Sequence, residues 1–145
     1  MKLRRARNTK MSVADCKIIT LPRVRDERGN LSYVEGENHI PFKIKRTYFL
    51  YDVPGGVERG SHAHRTLQQL MVAVSGSFTV ELFDGRERRE YLLNVAYQGL
   101  LLTPMIWRSL KQFSSGSVCL VMASDRFDEA DYIRDYEQFI EMVRE

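Results

Sequence analysis

Cysteine is scarce in this chain of 145 residues, with two in all, Cys16 and Cys119. Two thiols are too few and too far apart in sequence to imply a disulfide framework or a thiolate metal site, and they suit a reducing, cytoplasmic setting. Long apolar runs are also missing. No stretch approaches the roughly 20 apolar residues with which a helix crosses a bilayer. The early basic residues Lys2, Arg4, Arg5, Arg7 and Lys10 are not followed by the apolar run of a signal peptide, so no membrane role is expected. Charge of one sign is lacking too: 22 Lys and Arg stand against 19 Asp and Glu. Much of the net +3 lies in that basic start and no basic groove accompanies it, so no nucleic-acid partner is expected. No βαβ repeat, internal repeat or domain boundary is visible.

What is present is a set of short extended segments. Hydrophobic residues make up 43% of the chain and charged residues 28%, an ordinary balance for one folded domain. Residues 1–16 read as a basic tail or lead-in strand, and residues 17–145 as a single domain. Asp26-Glu27-Arg28-Gly29-Asn30 is a turn between Ile18-Ile19 and Leu31-Ser32-Tyr33-Val34. Residues 42–50 alternate, with Phe42, Ile44, Arg46, Tyr48 and Leu50 on one face. Arg46 on that face belongs at a rim or in a ligand pocket. Residues 70–74 are nearly all apolar, as a strand covered on both sides would be. Phe78, Val80 and Leu82 point one way, and Asp84-Gly85 predicts a tight primed hairpin turn. Further strands fit residues 89–93, 100–103, 107–111 and 118–122.

The tail changes period. Asp128-Glu129-Ala130-Asp131 predicts a helix N-terminus, and Ile133, Tyr136, Ile140 and Val143 fall on one helical face. Many short strands with one late helix predict an all-β barrel or jelly roll with a short C-terminal helix.

Histidine is rare, three in all, and two stand together in Ser61-His62-Ala63-His64. Two-residue spacing in a strand puts both side chains on one face, about 7 Å apart along the chain. Small Ala63 and Gly60 suggest a crowded inner surface. Two chemistries suit such a pair. One is metal binding by neutral imidazoles. The positions where a carboxylate would close that site hold Gln68 and Gln69, which are poor ligands, and His39 lies in a loop-like stretch. The other is acid–base catalysis, because an imidazole both accepts and donates protons near neutral pH.

Several segments together resemble the nucleotide-sugar 3,4-ketoisomerases, small cupin enzymes acting on dTDP-4-keto-6-deoxy-glucose. They are Asp26-Glu27-Arg28-Gly29-Asn30-Leu31, Pro41-Phe42-Lys43-Ile44-Lys45-Arg46, Arg59-Gly60-Ser61-His62-Ala63-His64 and the run 123–134. The resemblance covers roughly residues 17–140. It implies a cupin β-barrel, a homodimer with strands exchanged between subunits, and catalysis without metal or organic cofactor. The family's paired histidines fall on His62 and His64, its Arg-Gly on Arg59 and Gly60, and its strand arginine and tyrosine on Arg46 and Tyr48.

Relatives often carry a histidine directly after the tryptophan of a Pro-x-x-Trp segment, but here Pro104-Met105-Ile106-Trp107 is followed by Arg108. Arginine does not act as an acid–base at neutral pH. Arg108 is therefore expected to bind phosphate or polarise a ketone. The expected substrate is a dTDP-linked keto-deoxyhexose. His64 is expected to take the C3 proton with His62 as its partner, and Tyr48 to stabilise the oxyanion. Arg46, Arg59 and Arg108 would hold diphosphate or sugar oxygens, and Trp107 would stack on the base. A 3,5-epimerase on the same sugar nucleotide and a non-catalytic nucleotide-sugar-binding cupin are the alternatives.

Overall fold

Apolar side chains alternate along short runs, and two sheets packed face to face bury them. The computed structural model describes residues 11–144 and forms a two-layered β-barrel. In the first sheet the spatial order is β1 (Lys17–Thr20), β9 (Gln98–Leu102), β6 (Gln69–Ser75), β11 (Val118–Ala123) and β4 (Arg46–Leu50). The second runs β12 (Tyr132–Ile133), β5 (Arg59–His64), β10 (Trp107–Lys111), β7 (Phe78–Phe83) and β8 (Arg88–Leu93). Every pairing within the two sheets is antiparallel. A separate ribbon joins β2 (Arg23–Asp26) to β3 (Gly29–Ser32), and one helix, α1 (Tyr136–Arg144), follows.

Three apolar clusters hold these layers. Phe78, Val80 and Leu82 of β7 meet Leu100 and Leu102 of β9 and Val121 of β11 between the sheets. Each such side chain contributes about 1.5–3 kcal/mol on burial. On the outer side of the first sheet, Leu70 and Val72 are covered by Leu21, Ile40 and Phe42. Strand β6 is thus buried on both faces over its first five residues, as its unbroken apolar run predicts. On the outer side of the second sheet, Ala63 and Ile133 pack with Phe139 and Ile140 of α1.

Three local expectations are corrected. The ladder of β4 begins only at Arg46, because residues 36–42 fold into a loop closed by the Glu37 amide on the Phe42 carbonyl, 3.0 Å. Asp84-Gly85 does not make a two-residue primed turn. Phe83 pairs with Arg88 across a four-residue loop, where the Asp84 carboxylate accepts from the amides of Arg86, Glu87 and Val13. The acidic run does not start a helix either. Asp128 caps a single 3-10 turn, Tyr132–Ile133 returns to the sheet as β12, and α1 starts at Tyr136. The basic run at residues 1–10 lies outside the described residues, while Val13 and Cys16 belong to the main core.

Candidate active site

Gly60 brings the histidine strand into register. It sits at φ 70°, and the pairing of β5 with β10 slips there: Arg108 faces His62, but Leu110 faces Arg59. One extra residue of β5 therefore lies between these points, a β-bulge that a left-handed glycine accommodates cheaply. Beyond the bulge, β10 sets Arg108 beside His62 and β12 sets Tyr132 beside His64. Residues directly opposed on antiparallel strands share a face, so these four side chains converge. The Tyr132 ring centroid lies 5.0 Å from that of His62 and 4.4 Å from that of His64.

The histidines are joined tip to tip, His62 Nε2 to His64 Nε2, at 3.1 Å. They are not equivalent. His62 lines a cavity of about 350 Å³, whereas His64 is fully buried behind it. The far nitrogen of His64, Nδ1, lies 3.3 Å from Asp131 Oδ2, off the axis of an aligned hydrogen bond.

Tyr48, Arg59, Arg108, Tyr132 and Arg134 join His62 in the cavity wall. Arg108 is 1% exposed and donates to the Ile106 carbonyl at 3.2 Å and to Gln69 Oε1, while its Nη2 has no partner among the described residues. Since Gln69 Oε1 accepts from Arg108, its Nε2 is left to donate, and it does so to the Tyr48 hydroxyl at 2.8 Å. That oxygen is thereby an acceptor, and its own hydrogen is free to be given elsewhere. Arg134 lies across the Tyr132 ring, 4.2 Å from its centroid, with its charge paired to Glu129 at 2.6 Å.

These surroundings keep both imidazoles neutral. Burial, helped by the charge of Arg108, pulls His62 from its ordinary 6.5 down to about 2. Burial, Arg108 and then Arg46 bring His64 to about 3. Burial pushes Tyr48 up, so its hydroxyl stays protonated and able to donate. Burial also lowers Arg108, which has no carboxylate partner among the described residues. Among the described residues, no three His, Cys, Asp or Glu side chains converge as a metal site would require.

A family model, FdtA (WxcM-like, C-terminal), matches residues 14–144. A TDP-4-oxo-6-deoxy-alpha-D-glucose-3,4-oxoisomerase from Aneurinibacillus thermoaerophilus is 42% identical over 123 residues, covering 85% of this chain and 88% of that one. The chain belongs to the FdtA family of nucleotide-sugar 3,4-ketoisomerases. Among solved members, a 3,4-ketoisomerase from Helicobacter canadensis superposes with a TM-score of 0.88 at 40% identity, over 90% of this chain and 98% of that one. A variant of the 3,4-ketoisomerase from Thermoanaerobacterium thermosaccharolyticum, solved in complex with TDP-4-keto-6-deoxyglucose, gives 0.88 at 35% identity, over 89% and 94%. The expected cupin barrel is the family's fold.

Of the site residues expected from sequence, the structure brings His62, Tyr48, Arg59 and Arg108 to one cavity. It sets three others elsewhere. His64 stands behind His62. Arg46 borders a second cavity of about 30 Å³ on the far side of His64, with Thr66 and Asp131. Trp107 points away from the barrel interior, where its ring packs against Tyr136 and Phe139 of α1, 5.3 and 5.6 Å between centroids. Strand alternation explains this, because Arg108 takes the inward position of β10.

Sequence reasoning missed Gln69, Asp131, Tyr132 and Arg134. Asp131 is masked by the acidic run 128–131, which resembles a helix N-terminus. The family-like run 123–134 was the signal that could have drawn attention to the last three.

Proposed function

We propose that this chain catalyses 3,4-ketoisomerisation of TDP-4-keto-6-deoxy-glucose by histidine acid–base chemistry, without metal or organic cofactor. The observation that carries the reading is the neutral His62–His64 pair in the wall of a sugar-sized cavity, facing a free Tyr48 hydroxyl and the Arg108 charge. Membership of the family supplies the substrate class.

The chemistry follows from the groups at hand. The C4 ketone acidifies the C3–H bond, and a neutral imidazole accepts that proton. Negative charge then spreads over the C3–C4 enediolate. The Tyr48 O–H donates to it and the Arg108 guanidinium stabilises it, both already in place before reaction. Return of the carbon-bound proton to C4, with the C3 hydroxyl proton transferred to the C4 oxygen, leaves a ketone at C3 and a hydroxyl at C4. Only His62 of the pair lines the cavity, so the order expected from sequence is reversed in this reading: His62 works on carbon and His64 stands behind it. Arg59 and Arg134, both on the cavity wall and reaching solvent, suit the diphosphate.

The same reading includes a homodimer with exchanged strands and a cytoplasmic setting. In support of the dimer, the β2–β3 ribbon pairs with neither sheet and leaves Val24 and Leu31 exposed. In support of a reducing compartment, Cys16 and Cys119 are free and buried.

The test is incubation with TDP-4-keto-6-deoxyglucose in D₂O, followed by NMR. A C3 ketone with deuterium at C4 is expected. His62→Asn and His64→Asn are each expected to lower kcat by about 10²-fold or more. Exchange at C5 would instead mean 3,5-epimerisation. Tight binding without chemical change would mean a binding module.

A further inference from the structure

Two neutral imidazoles bonded Nε2 to Nε2 hold one proton between them, so one ring must donate and the other accept. We infer that Asp131 is a positioning residue that sets this direction, holding His64 as the Nδ1–H tautomer so that His64 Nε2 accepts from His62 Nε2–H.

The carboxylate is itself pinned. Oδ1 accepts from the Thr66 amide at 2.9 Å and the Thr66 hydroxyl at 2.7 Å, and Oδ2 accepts from the Leu67 amide at 3.2 Å. The backbone adds to this, since the Arg65 amide donates to the Asp131 carbonyl at 2.9 Å and the next residue, Tyr132, pairs with His64. Asp131 therefore cannot swing away, and Oδ2 stays 3.3 Å from His64 Nδ1. A ring nitrogen facing a carboxylate oxygen is attracted if it carries hydrogen and repelled if it presents a lone pair. His64 Nδ1 is buried and has no other partner among the described residues, so this contact decides its protonation. The choice propagates: His64 Nε2 becomes an acceptor, and His62 must carry its hydrogen on Nε2. The other nitrogen of His62, Nδ1, then holds the lone pair, and among the described residues it is neither bonded nor sealed from solvent.

The last step rests on the isomerase reading. As the C3–H bond breaks, its proton joins His62 Nδ1 while the His62 Nε2 proton passes to His64 Nε2. His64 becomes an imidazolium facing the Asp131 carboxylate, and the enediolate keeps the electron pair. Reversal of both transfers delivers a proton to C4.

The experiment is NMR of the intact protein labelled with ¹⁵N-histidine, near neutral pH and without substrate. The expected pattern is Nδ1–H on His64 and Nε2–H on His62. The opposite pattern overturns the inference whatever the enzyme's activity, so its failure is separable from failure of the isomerase reading. Asp131→Asn, which can present N–H to His64 Nδ1, is expected to move the His64 hydrogen to Nε2. It should lower kcat about 10²-fold or more, with TDP affinity within about two-fold of the parent. Thr66→Val, which removes one support of the carboxylate without changing its charge, should keep the tautomers. An Asp131→Asn protein with unchanged tautomers and kcat removes Asp131 from the mechanism.

Discussion

Burial acts on His62 and His64 by withdrawing water from their charged forms, and the nearby guanidinium of Arg108 adds repulsion in the same direction. Both rings therefore remain proton acceptors well below the 6.5 at which a free imidazole protonates. The first prediction follows with its sign. In the free enzyme, kcat/KM should stay level from about pH 8 down to about pH 5.5 if this pair does the proton transfer, because neither imidazole charges in that interval. Stability carries the same signature. A histidine whose folded pKa is depressed binds protons more readily when unfolded, so stability is level above 6.5 and declines as pH falls below it. Steady-state rates and thermal melts across the range check both. An acid limb in kcat/KM centred near pH 6.5 would mean that the base titrates as a free imidazole, contrary to the burial seen for His62.

At the scale of elements, strand β5 depends on one backbone conformation. Gly60 holds φ 70°, and a Cβ placed there would lie 3.2 Å from Leu110 Cδ1. The Leu110 side chain can yield by a few tenths of an ångström, but the left-handed backbone cannot be relieved so easily. Gly60→Ala should lose about 1–2 kcal/mol of stability, read from denaturant midpoints. It should also lower kcat, since slippage at the bulge moves His62 against Arg108. A variant as stable and as active as the parent would show that the bulge does not set the site.

Much of this was legible beforehand. The alternation of β7 and the shared face of His62 and His64 follow from period-two spacing, and the double-sided burial of β6 from its unbroken apolar run; both signals are local. The segment from Asp128 to Ile133 was not legible as β structure. Its acids imitate a helix start, and Ile133 packs in the same cluster as Phe139 and Ile140, which imitates helical spacing. A two-residue strand has no period of its own. Only its pairing with β5 reveals it, and Asp131 and Tyr132 reach the histidines through that pairing. Gln69 was hidden for the same reason: its partners Arg108 and Tyr48 come from strands distant in sequence.

For the whole molecule, the β2–β3 ribbon raises the question of what covers it. Val24 is directly opposed to Leu31 across the ribbon, so the two side chains share a face, and they are 56% and 58% exposed. An isolated two-stranded ribbon is marginal in water by itself. Covering an apolar side chain contributes about 1.5–3 kcal/mol, and a twofold dimer counts each contact twice. A second copy of this chain is the occupant that the proposed homodimer supplies. Sedimentation equilibrium should therefore give twice the 16.9 kDa chain mass. Leu31→Asp should shift the population toward monomer by placing a charge on the face that each ribbon would bury in the dimer, while the barrel keeps its far-UV signature because Leu31 is exposed and is not a member of its core clusters. A monomeric parent, or a Leu31→Asp protein that stays dimeric at micromolar concentration, would show that the ribbon is not the subunit contact.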